Sequence, residues 1–197
     1  MKPLSAALCL LLAPLAGAHA QSPAVDLPVF DPVLVAAAAS DLLLRAPDRD
    51  VDQLFRAVHA STRSDQEAAA LCAMFDTPGG PDLPTLQRGT AALGPDSRQR
   101  FADALAAVAI GGLQGGPAQD PAAGHQAVKS AGAKAAFLHD GFVEGLSDPG
   151  TDADGRARRC RAFRWLVDAL EGFPLAERAA ATRYLLAEGL GAWQRPQ

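Results

Sequence analysis

Residues that favour sheets are scarce in this chain. Val, Ile and Thr together number seventeen among 197 residues, and aromatics make up 6%. That is a poor supply for the pleated surfaces on which β-branched and aromatic side chains pack, and no alternating run or hairpin signal offsets it. Lysine is scarce too, three residues against fifteen Arg, and the formal net charge is -4, so no overall basic field exists to hold nucleic acid. With 20% charged and 49% hydrophobic residues, the chain is too apolar and too weakly charged to be wholly disordered. Past the first twenty residues no apolar run reaches the length of a transmembrane helix, about 20 residues. The nearest, 101–113, contains Asp103 and two glycines. The sequence also lacks G-x-S-x-G, H-E-x-x-H, C-x-x-C and the P-loop pattern, and nothing in it requires a cofactor.

What is abundant is alanine, forty-three residues, and leucine, twenty-six. Their spacing is helical. Asp31-Pro32 supplies an N-cap followed by proline at the first helical position, opening a helix expected to run to about Arg45, before Pro47. A second helix is expected from near Asp50, with Val51, Leu54, Phe55 and Val58 on one face. Ser64-Asp65-Gln66-Glu67 has the pattern of a capping box for a third, burying Leu71, Cys72 and Phe75. A short helix around 85–92 precedes Gly94-Pro95. The next presents Phe101, Leu105 and Val108, and Gly111-Gly112 should end it. Asp120-Pro121 repeats the first cap and should start one long helix to Leu146, its stripe formed by Val128, Ala131, Ala135, Leu138, Phe142 and Leu146. After a polar loop, 147–155, the penultimate helix lines up Cys160, Phe163, Val167 and Leu170. The last carries Leu175, Ala179, Thr182, Leu186, Leu190 and Trp193. With no repeat at a fixed period, the reading is an all-α fold, a compact bundle of about six to eight helices in a single domain, 31–197.

The N-terminus carries a different kind of signal. Lys2, the apolar run from Leu4 to Leu15 and the small-x-small triplet Ala18-His19-Ala20 have the layout of a signal peptide. Residues 1–20 are expected to be removed between Ala20 and Gln21, leaving 21–30 as an extended tail. Cys9 lies inside the apolar run and not at its end, against a lipoprotein. Arginine-rich, lysine-poor composition fits a GC-rich bacterial genome, so the expected compartment is the periplasm, with secretion as the alternative. Cleavage leaves two cysteines, Cys72 and Cys160, which have one possible connectivity. An oxidising compartment favours their disulfide, and closing a loop of nearly ninety residues is worth roughly 4–5 kcal/mol in the chain-entropy account.

Three histidines follow the leader: His59, His125 and His139. His125 and His139 lie about 21 Å apart along a continuous helix at 1.5 Å per residue, too far to share a metal, and each reads best as a satisfied or half-buried side chain. Neither Ser130 nor Ser147 has a sequence context that makes it a nucleophile for His139. Asp148, Asp152 and Asp154 before Gly155 suggest a calcium loop, but the register fails. With Gly155 at the sixth position, Gly150 stands first and Arg161 twelfth, where a bidentate Glu is needed. Thr151 or Asp152 as a helix cap accounts for the same residues, so no metal site is expected.

The unusual constellation is Arg156, Arg158, Arg159, Arg161 and Arg164 in the opening turns of the penultimate helix, where positive charge opposes the helix dipole. Trp165 points away from that helix's apolar face, beside Arg158 and Arg161, and Arg161 is placed to stack on its ring. Phe137 and Tyr184 stand opposite the apolar stripes of their own helices. Trp, Tyr and Arg are enriched at binding hot spots, so Arg158, Arg161, Arg164 and Trp165 are the expected binding residues. They would serve a non-catalytic protein, inhibitor- or immunity-like in architecture, that recognises an acidic protein surface or an anionic envelope component. The competing readings are a second interior seam for the aromatics, an envelope enzyme built on His139 with Asp140 or Glu144, and a structural protein assembling through Phe137 or Tyr184.

Overall fold

Nine helices carry the described residues of the computed structural model, 32–75 and 83–193, and no strand occurs among them. They are α1 (Pro32–Arg45), α2 (Asp48–Thr62), α3 (Asp65–Phe75), α4 (Leu83–Ala92), α5 (Pro95–Gln114), α6 (Ala123–Leu138), α7 (Phe142–Leu146), α8 (Ala153–Glu171) and α9 (Leu175–Trp193). The expected leader and the 21–30 tail lie outside the described residues. No helix among the described residues is long and apolar enough to cross a membrane.

The fold class expected from the sequence holds, and the helix count exceeds the expectation because the long helix is broken. At its end His139 is extended, and Gly141 adopts φ +82 before α7 begins. That left-handed conformation is open to glycine without strain, so Asp140-Gly141 turns the chain where periodicity alone continues it. Of the expected stripe Ala131, Ala135 and Phe142 are buried, whereas Leu138 and Leu146 are more than half exposed. The opposite correction applies to α5, which runs through Gly111 and Gly112 to Gln114. Both glycines are buried, and a Cβ on Gly112 would collide with the Leu42 backbone. They permit close helix approach and do not end the helix. The start of α2 is two residues earlier than its apolar pattern indicated, and places Asp48 and Asp50 in the first turn, where negative charge complements the dipole.

Helices α1, α2, α5 and α9 form a ring in which α1 packs on α5, α5 on α2, α2 on α9 and α9 on α1. Leu43, Ala46, Val51, Val108 and Ala179 fill its centre, with Leu186 against them. Helices α6, α7 and α8 lie on the α2–α9 side over a second core that includes Phe55, Ala131, Phe142, Leu166 and Leu170. A third cluster joins α3 to Leu93 through Leu71 and Met74. Cys72 and Cys160 form the expected disulfide, Cα atoms 5.4 Å apart, tying α3 to α8.

Two arginines of α9 hold the layers together. Arg178 donates from Nε and a terminal nitrogen to both oxygens of Asp52, at 2.7 and 3.1 Å, and to the Phe173 carbonyl at 2.7 Å. Arg183 bonds the Asp48 carboxylate at 2.7 Å and the Leu43 and Ala46 carbonyls. Each guanidinium thus meets an acid of α2 and the carbonyl end of another helix, α8 or α1. Those carbonyls have no intrahelical partner and carry the negative end of the dipole, which is why five fixed donors can be enclosed there.

Candidate functional site

The loop before α8 is built from its acids. Asp148 accepts from the Gly150 backbone and Asp152 from the Gly155 backbone, both at 2.7 Å, so Asp152 is the N-cap of α8. Gly155 lies so close to Gly150 that a Cβ would meet its backbone. The second Asp148 oxygen accepts from Arg158 Nε. That bond, then the Gly150 backbone, holds the Asp148 carboxyl below its ordinary pKa, while the same bond raises Arg158. Two of the carboxylates that resembled a calcium loop, Asp148 and Asp152, are therefore engaged in pairing and capping.

The arginine cluster divides by role. Arg158 pairs with Asp148, Arg159 donates to the Asp148 and Gly150 carbonyls, and Arg156 to the Thr151 carbonyl. These three brace the 147–152 loop. Arg164 reaches across to Asp65 at the start of α3, 2.8 Å away. Arg161 is exposed and makes no ion pair among the described residues.

Trp165 is half-buried against the α6–α8 core. The ring that covers it is the His139 imidazole, with centroids 4.6 Å apart and planes 2° from parallel; Arg161 makes no such contact among the described residues. The break between α6 and α7 makes this possible, because it turns His139 out of its helix and against α8. Tyr184 is likewise half-buried and meets His125, centroids 5.4 Å apart.

Beside His139 in the chain, large apolar side chains are exposed. Phe137 is 89% exposed, and Leu138, Val143 and Leu146 are each more than half exposed. All four fall within ten residues at the α6–α7 corner, the Phe137 expectation among them. The α7 helix seats on α8 at Gly145, where a Cβ would crowd the Arg158 carbonyl and Ala162. The same residues of α8 that carry the arginines therefore support this corner. Sequence reasoning missed Val143, and misplaced Leu138 and Leu146 in the core. The available signal was Asp140-Gly141, a turn dipeptide inside a supposed helix.

His59 faces carboxylates from both ring nitrogens, Asp168 at 3.1 Å and Glu171 at 3.8 Å, so neither nitrogen is aimed at a hydroxyl. A hollow of about 370 Å³ lies where α3 and α5 begin, lined by Arg63, Ser64, Glu67, Ser97 and Arg100 among others. Ser97 Oγ donates to Glu67 at 2.6 Å and accepts from Ser61 at 3.2 Å and Arg100 at 2.6 Å. The hydroxyl is 1% exposed by residue, and this set clamps the start of α5. No group of three or more metal-ligating side chains occurs among the described residues.

The fold and site together define a small disulfide-tied helical bundle with exposed apolar side chains at the α6–α7 corner. No protein-family model matches the chain, and neither a curated protein nor a solved structure matches it.

Proposed function

We propose that this is an exported, non-catalytic interaction protein that docks an acidic protein surface onto the α6–α7 corner and the adjoining turns of α8. The observation that carries the reading is the exposure of Phe137, Leu138, Val143 and Leu146 where α7 packs on α8, the helix that also carries Arg161, which is exposed and makes no ion pair among the described residues. An exposed aromatic with aliphatic side chains and an arginine available nearby in the fold has the composition of a binding hot spot. A carboxylate on the partner supplies the counter-charge that Arg161 does not find among the described residues. Export rests on the leader-like first twenty residues, and the Cys72–Cys160 disulfide suits an oxidising compartment. Architecture and compartment are compatible with an inhibitor or immunity protein. The enzyme reading around His139 is weaker, because its ring lies flat on Trp165 and not against Asp140 or Glu144.

The experiment is pull-down from envelope extract with the native protein, Phe137→Asp and Arg161→Glu, all three first shown to melt together. A protein held by the native chain and lost by both variants supports the reading. Capture that is unchanged in both removes the corner as a docking surface. Binding to anionic lipid vesicles with no protein captured replaces the protein partner with an envelope lipid. Trp165→Ala is unsuitable as a binding probe: its ring packs on the core, so truncation should cost about 2 kcal/mol or more of stability.

A further inference from the structure

The ring of four helices is covered on one side. Helices α3 and α8 back α2, and α6 backs α9, whereas the outer side of α5 faces solvent. Leu105, Ile110 and Leu113 are 55%, 55% and 78% exposed there. With Ala102, Ala106 and Ala109 they occupy an arc of about 140° at 100° per residue, opposite the buried Ala104, Val108 and Gly111.

Charge changes abruptly along this one helix. Its first half carries Asp96, Arg98, Arg100 and Asp103, as a solvated helix should. From Ala104 to Gln119 the sequence has no charged residue. A solvent-facing surface ordinarily interrupts such a stretch, so the second half of α5 has the composition of a covered face. The corner at α6–α7 differs, with Asp140 and Glu144 among its apolar residues.

We infer that a second copy of this chain covers this face, with the two α5 helices packed antiparallel about a two-fold axis near Ala109. A charged partner would lose water against this surface without gaining a counter-charge; an identical uncharged face loses nothing. Two-fold symmetry requires a self-complementary patch, and the order Leu105, Ala109, Leu113 supplies one. Rotation about Ala109 sets Leu105 of one chain against Leu113 of the other, and leaves the two small alanines to meet on the axis. This assembly uses a different surface from the proposed partner-binding corner, so the two can fail separately.

Sedimentation equilibrium of the purified protein over a wide concentration range tests it. The native protein should reach the mass of two chains, and Leu113→Glu or Leu105→Lys should each raise the dissociation constant about a hundredfold or more. The double variant Leu105→Lys/Leu113→Glu should recover the dimer, since each Lys then meets a Glu across the axis. Phe137→Asp should leave it unchanged. A native protein that stays monomeric overturns the inference, as does a dimer indifferent to both single variants or one dissolved by Phe137→Asp. A monomer whose melting temperature falls with Leu113→Glu also overturns it, by showing that another part of the same chain covers the face.

Discussion

Arg183 is 1% exposed, yet the side chain is a cation with five donors to satisfy. Its position is tenable because Asp48 and two carbonyls at the end of α1 surround it. Arg178 and Asp52 form the matching pair one and a half turns earlier, with Arg56 adding a 2.8 Å bond to the same carboxylate. Removing one member of such a pair leaves a buried charge without its counter-charge, which costs about 3–5 kcal/mol. Arg178→Ala should therefore lower unfolding free energy by about that amount, measured in urea. Burial acts to raise the Asp52 pKa, but the hydrogen bonds and charges of Arg178 and Arg56 outweigh it and hold the group below its ordinary value. A depressed folded pKa means that the contribution is complete above the unfolded carboxylate value, near pH 4, and is lost as pH falls below it. Melting temperature followed downward from pH 5 should thus fall less steeply in Asp52→Asn than in the native chain; equal slopes would show that other acids govern the acid limb.

At the scale of elements, glycines divide into those that space helices and those that merely interrupt them. Gly112 touches the Leu42 backbone across the α1–α5 contact, and Gly124 meets the Ala180 carbonyl across α6–α9. A methyl at Gly112 must push two helices apart, so Gly112→Ala should destabilise by about 1–3 kcal/mol. Gly189 has nothing near its absent Cβ, and Gly189→Ala should stabilise α9 by roughly 0.5–1 kcal/mol through helix propensity. Thermal melts of the two variants should shift in opposite directions. In sequence the two residues look alike, each a glycine within an apolar helix; only the distance to the neighbouring backbone separates them. The same reason explains why Gly111-Gly112 looked like a helix end. Asp140-Gly141 could have been read correctly, since its turn chemistry is local.

For the molecule as a whole, the disulfide joins parts of the chain 88 residues apart. Reducing it restores that loop's freedom to the unfolded state, worth about 4–5 kcal/mol, and a urea midpoint measured with and without reductant should move accordingly. An unchanged midpoint would mean that the ring and its buried ion pairs hold α3 and α8 without help. The helical class, the α1 and α3 boundaries, a cap at Thr151 or Asp152 and the pairing of Cys72 with Cys160 were all legible in the residues, because propensity, capping and the arithmetic of two cysteines act locally or leave few choices. The faces that meet solvent were not. Alanine and leucine make several sides of a helix equally able to be buried, so periodicity proposes a face without naming its neighbour. Packing alone decided that Trp165 lies under His139, that Arg183 is enclosed, and that Leu138 and Leu113 are left outside, because a side chain's burial depends on helices distant in sequence that happen to lie against it.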